Sequence, residues 1–183
     1  MRGYFGIGVE GVSKPMNLGA LMRTAHAFGA SFVFTLAAAY DRDQGARADT
    51  SDAPVSLPLY EFADVGSLAL PRGCALVGVE LLDEAIDLPS FRHPRAAAYV
   101  LGPERGSLSP ELARRCDQLV KIPTRFCVNL GLAGAIVMYD RLLSRGRFAE
   151  RPVSPGGAIQ PLAPPLFGPP LSRKKRRVGQ GAV

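Results

Sequence analysis

Short apolar runs alternate with stretches of helical spacing along most of this chain. Residues 3–9 (Gly-Tyr-Phe-Gly-Ile-Gly-Val) predict a buried strand that enters a loop at 10–15. Apolar residues at 18, 21, 22, 25 and 28 then follow a 3.6-residue period, and Gly29 stands where a left-handed C-cap belongs. A β-rich run at 31–36 precedes a polar stretch at 41–54 that reads as an exposed loop. A short strand at 55–57 and a short helix at 61–68 are expected next. Residues 74–79, 96–101 and 118–122 read as further buried strands. Ser109-Pro110-Glu111 offers an N-cap, a proline at the first helical position and an acid in the first turn, so a helix starts there. A strongly apolar helix is expected over 130–144. Uniformly apolar strands alternating with helices predict an α/β fold, a parallel sheet covered by helices on both faces.

The pattern stops near residue 150. Prolines at 152, 155, 161, 164, 165, 169 and 170, interleaved with glycine, predict an extended arm over 151–183 beyond a folded domain at 1–150. The arm ends in Arg173-Lys174-Lys175-Arg176-Arg177. That run changes the meaning of the net charge of +6, because residues 1–150 hold 16 basic and 16 acidic side chains. The body is neutral, and affinity for phosphate rests on the tail and on local patches. No run approaches the roughly 20 apolar residues of a membrane span, and no signal peptide is expected at the start. Three cysteines, Cys74, Cys116 and Cys127, are odd in number and form no Cys-x-x-Cys pair. Neither a disulfide framework nor a metal site is expected, and a reducing cytoplasm fits.

Three segments carry candidate chemistry. In the first, Asn17 stands where an N-cap belongs, and Arg23 follows within two turns. Its long side chain leans back toward the helix start, which makes either a polar pocket with an arginine held ready or a capped helix with a surface arginine. In the second, Leu101-Gly102-Pro103-Glu104-Arg105-Gly106 follows a strand and precedes a helix, where open α/β sheets bind ligands. Gly102 and Gly106 permit close approach or positive φ, and Glu104 between them is placed to bond loop amides. Neither a dinucleotide fingerprint nor a P-loop is present. In the third, Ile122-Pro123 leads through Cys127, Val128 and Asn129 into a helix whose first turns hold Gly131, Ala133, Gly134 and Ala135. So many small residues require a close neighbour: a second helix, another chain or a ligand. Asn129 is read as a cap or as an amide that holds substrate. His26 and His93 belong to no catalytic or metal-spaced cluster and are read as structural.

In this order and spacing the segments resemble the three motifs of SpoU (TrmH-like) RNA 2′-O-methyltransferases of the SPOUT class, over residues 4–145. The resemblance implies a C-terminal trefoil knot (the SPOUT, or α/β-knot, fold), S-adenosylmethionine as cofactor, tRNA or rRNA as partner, and a homodimer. It implies that Val79, Leu101, Gly102, Gly106, Ile122, Pro123, Cys127 and Val128 hold the cofactor. It also implies that Arg23, Asn17, Glu104 and Asn129 serve catalysis, with Arg23 facing the cofactor of the partner subunit. A guanidinium with a pKa of about 12.5–13.8 stays protonated, so Arg23 is read as a stabiliser of phosphate and incipient alkoxide rather than a free base. Cys127 and Gly131 stand where the family often has serine or, at the second position, alanine. The competing reading is a non-catalytic SPOUT-fold module that binds RNA or cofactor. Methylation of a base is disfavoured, because Asp140 lies far down its helix.

Overall fold

The computed structural model describes residues 3–39, 57–146, 148, 151–152 and 155–156. The loop expected at 41–54, residues 55–56 of the expected strand and the basic run at 173–177 lie outside the described residues. In chain order the elements are β1 (Tyr4–Glu10), α1 (Pro15–Phe28), β2 (Phe32–Leu36), β3 (Leu59–Phe62), β4 (Ala75–Val79), β5 (Ile86–Asp87), a 3-10 turn (Leu88–Ser90), β6 (Ala96–Leu101), α2 (Pro110–Arg115), β7 (Gln118–Lys121) and α3 (Leu130–Arg145). The seven strands form one sheet in the order β3-β2-β1-β6-β4-β7-β5, every pairing parallel. β1 and β6, adjacent near the middle, are almost wholly buried, which explains their apolar runs.

Side-chain alternation along the strands makes two cores. Phe5, Ile7, Val9, Val33, Ala97, Tyr99 and Leu101 face α1 and α3. Phe32, Phe34, Leu36, Ala98 and Val100 join Leu112 of α2 with Val65 and Leu68 on the other face. The small residues of α3 meet a second helix of the same chain. A Cβ on Gly134 would lie 2.5 Å from Leu21 Cδ1 and 3.4 Å from Ile7 Cδ1, so glycine is what lets α1 and α3 approach. Gly29 ends α1 at φ 74°, and Ser109 caps α2 by accepting from Leu112 N at 3.2 Å.

The sheet also departs from expectation. The helix expected at 61–68 is absent: residues 59–62 pair with β2 as an edge strand, and turns follow at 63–67. Asp64 accepts from Ser67 N at 2.7 Å while Ser67 Oγ donates to the Asp64 carbonyl, a local exchange that competes with helix formation. β5, two residues long, gave no periodic signal.

At the N-terminal end of β1 and β6, α3 is fastened by a buried guanidinium. Arg141 is 2% exposed and donates to Pro94 O at 2.7 Å, Arg95 O at 3.0 Å and Tyr99 Oη at 3.0 Å, with its carbon 4.9 Å from the Phe5 ring centroid. His93, also buried, lies 2.6 Å from Tyr99 Oη and 2.9 Å from Asp140 Oδ2. Burial pushes the Tyr99 hydroxyl up to about 12 and holds the His93 ring below its ordinary value, although Asp140 pulls the other way. His93 is therefore structural, and Asp140 is its partner at the far end of the sheet.

Candidate active site

Because β6, β4 and β7 are consecutive in a parallel sheet, the segments that follow them emerge side by side at its C-terminal end. There they enclose a cleft of about 370 Å³, within the range of small-molecule sites. The β4 end contributes Val79, Glu80 and Leu81, the β6 end Leu101, Gly102, Pro103, Glu104 and Gly106. Ile122, Thr124, Cys127, Val128, Asn129, Leu130 and Ala133 come from the passage between β7 and α3, and Lys14 and Asn17 from the start of α1. Its walls combine apolar side chains with the polar groups of Lys14, Asn17, Glu80, Glu104, Thr124 and Asn129.

Most residues singled out in the sequence meet here. Asn17, Val79, Leu101, Gly102, Glu104, Gly106, Ile122, Cys127, Val128 and Asn129 all line the cleft, whereas Pro123 and Arg23 do not. Arg23 lies on the exposed face of α1, together with Met16 and Ala20. Lys14, Glu80, Leu81, Pro103, Thr124, Leu130 and Ala133 line it without having been assigned as site residues. The resemblance places Glu80, Pro103 and Thr124 in the loops around the cofactor, and proximity along the chain to assigned residues pointed to the rest.

Two roles differ from their expectation. Asn17 does not cap α1, because the helix starts at Pro15 and its N-cap is Lys14. The proline at the first position needs no amide partner, so the helix begins earlier than the apolar period shows. The Asn17 side chain instead donates from Nδ2 to Glu104 Oε1 at 2.8 Å. Glu104 in turn reaches away from its own loop. It accepts from Ser13 Oγ at 2.8 Å and from the Ser13 and Lys14 amides at 3.4 Å each, so it ties the β6 loop to the open amides before α1. Partial burial works against the Glu104 charge, but these donors outweigh it and hold the carboxyl below its usual value. Asn129 does cap α3, accepting from Gly131 N at 2.9 Å.

The loop after β6 is fixed at its far end by two more carboxylates. Glu80 accepts from Leu81 N at 3.1 Å with Oε1 and from Leu108 N at 2.7 Å with Oε2. Glu10, at the end of β1, accepts from Ser109 N at 2.7 Å. Just before these anchored positions Gly106 has φ 120°, a left-handed value that favours glycine. A Cβ on Gly102 would lie 3.2 Å from Leu108 N and 3.3 Å from Glu80 Oε2, so backbone forms the cleft wall there. Among the described residues no group of His, Cys, Asp or Glu is placed to hold a metal, and no helix is long and apolar enough to cross a membrane.

Comparison with known proteins places the chain in a family. The chain is 30% identical over 148 residues to the 23S rRNA (guanosine-2′-O-)-methyltransferase RlmB of Bordetella pertussis, covering 75% of this chain and 58% of that protein. It is 26% identical over 137 residues to the tRNA (guanosine(18)-2′-O)-methyltransferase of Escherichia coli K12, covering 72% of this chain and 60% of that one. The chain thus spans somewhat over half the length of these relatives. The SpoU methyltransferase AviRb of Streptomyces viridochromogenes, solved in complex with the cofactor AdoMet, superposes with a TM-score of 0.69 at 22% identity, covering 78% of this chain and 60% of that one. This likeness shows the SPOUT fold expected from the motifs. The profile of the SpoU rRNA Methylase family matches residues 5–139, most of the described body, and the chain belongs to that family.

Proposed function

We propose that this chain transfers a methyl group from S-adenosylmethionine to a ribose 2′-hydroxyl of tRNA or rRNA. The observation that carries the reading is the meeting of three separated motif segments in one cleft at the C-terminal ends of β6, β4 and β7. The cleft suits an adenosyl group: Val79, Leu101, Ile122, Val128 and Leu130 supply apolar wall, and the glycine-formed wall at Gly102 offers close backbone. Bound there, the cofactor supplies an activated sulfonium methyl, whose carbon–sulfur electron pair returns to sulfur as the ribose oxygen forms its new bond to carbon. The protein must place the hydroxyl in line and ease the loss of its proton to solvent.

Arg23 suits the second task, as a fixed cation beside the RNA phosphate and the incipient alkoxide. Its place on the outside of α1 belongs with a homodimer in which it faces the partner's cleft. Met16 is 75% exposed, and Leu132, Ile136 and Tyr139 of the neighbouring α3 are 60%, 39% and 52% exposed, an apolar face of the kind a second copy covers. Trefoil threading of the C-terminal segments, a separate arm at 151–183 and a reducing cytoplasmic location belong to the same reading.

The test is incubation with radiolabelled S-adenosylmethionine and total RNA, followed by nucleoside mapping. Label on ribose 2′-oxygens is expected, and label only on bases or on protein overturns the reading. The position of Arg23 outside its own cleft also fits a binding module without turnover. If Arg23→Ala abolishes methylation while cofactor and RNA still bind, that alternative fails.

A further inference from the structure

Among the described residues the cleft is lined by one cationic side chain, Lys14, and two carboxylates, Glu80 and Glu104. Glu104 shares its charge with four donors around the start of α1. Glu80 is held differently. Its Oε1 accepts from the Leu81 amide at the cleft and its Oε2 from the amide of Leu108, buried behind the β6 loop, so both oxygens are held at the wall. Arg105 and Arg125, on the same loops, are exposed and outside the lining, where salt and water screen them most.

We propose that Glu80 is a specificity residue for the charge of the methyl donor, favouring sulfonium over thioether. The inference rests on the proposed methyltransferase reading. Transfer of the methyl group turns a sulfonium into an uncharged thioether, so the spent cofactor carries one positive charge fewer than the donor and is otherwise nearly the same shape. A fixed carboxylate in a cleft of this size acts on that difference alone. Apolar walls and backbone hydrogen bonds hold both forms alike. Glu80 thereby helps the site retain donor and release product.

Calorimetric affinities for S-adenosylmethionine and S-adenosylhomocysteine, measured with the full chain without RNA, test this directly. In Glu80→Gln the preference for the donor over the thioether should fall by about three- to tenfold, the size of a unit charge several ångströms away in a partly hydrated site. Glu10→Gln, which releases the adjacent Ser109 amide outside the cleft, should leave the ratio unchanged. An equal loss for both ligands in Glu80→Gln overturns the proposal, since Glu80 then only shapes the rim. Should that variant fail to fold, the wild type still decides: added salt must weaken the donor more than the thioether, and equal salt responses refute the assignment. Binding of neither ligand to the wild type removes the methyltransferase reading itself, a different result from an unchanged ratio.

Discussion

The contact between Asn17 and Glu104 joins the first motif to the second across 87 positions of sequence, and its strength is measurable. Alanine at Glu104 removes two hydrogen bonds of 2.8 Å and two of 3.4 Å. A charge-assisted bond contributes about 1.5–3 kcal/mol when buried, but this carboxylate is only partly shielded, and screening brings each short bond nearer 1 kcal/mol. A carboxylate beside the first turn of a helix adds about 0.3–1 kcal/mol. Glu104→Ala should therefore cost about 2–3 kcal/mol, and Asn17→Ala about 1 kcal/mol. Urea unfolding of wild type, both single variants and the double variant gives the coupling, expected at about 1 kcal/mol. Because the donors hold the folded carboxyl below its usual 4.5, the unfolded chain protonates first on acidification. The stabilisation is thus present above 4.5 and is lost as pH falls below it through the folded value. A coupling indistinguishable from zero at neutral pH, or one unchanged in acid, would refute the reasoning.

Three further outcomes are expected. Arg141→Met leaves two backbone carbonyls and the Tyr99 hydroxyl without their donor in a buried site and should cost about 3–5 kcal/mol in urea unfolding; a loss under about 1 kcal/mol would mean that solvent repairs the gap. His93 titrates lower in the folded chain than its ordinary 6.5, so the unfolded chain gains a proton first as pH falls below that value. The unfolding temperature should decline as pH drops from 6.5 toward the depressed folded value, and His93→Gln should flatten that slope; parallel slopes would sink the assignment. Gly102→Ala places a methyl 3.2 Å from Leu108 N and 3.3 Å from Glu80 Oε2, and should weaken cofactor binding roughly tenfold while costing no more than about 1–3 kcal/mol of fold stability. Wild-type calorimetric affinity in that variant would show that the wall yields.

The elements that sequence reading found are those whose signal is local. Pro110 after Ser109 marked the start of α2, and the apolar runs marked β1, β4, β6 and β7. The cleft residues were legible through the order of three motifs, not through any one of them. What escaped was set by partners distant in the chain. Asn17 looks like a cap until Glu104 is brought beside it, and nothing local in the sequence shows that Glu80 and Glu10 meet amides of the β6 loop. Residues 61–68 have helical composition, yet pairing with β2 and the Asp64–Ser67 exchange hold the backbone otherwise. The place of Arg141 in an apolar helix gives it no role, and the fold shows it bonded to the carbonyls of Pro94 and Arg95.

The sheet order has a kinetic consequence. β1 pairs with β6, so Tyr4 must find Ala96, and β4 is completed only when β6 arrives on one side and β7 on the other. Few of these contacts can form early from near neighbours, and closing such long loops before any reward makes folding slow. During synthesis the first half of the chain would wait with β1 and β4 unpaired on one or both edges, exposed to misassociation until the later strands emerge. The same late strands bring two of the three cleft rims, so the capacity to bind a ligand arrives only as the sheet closes.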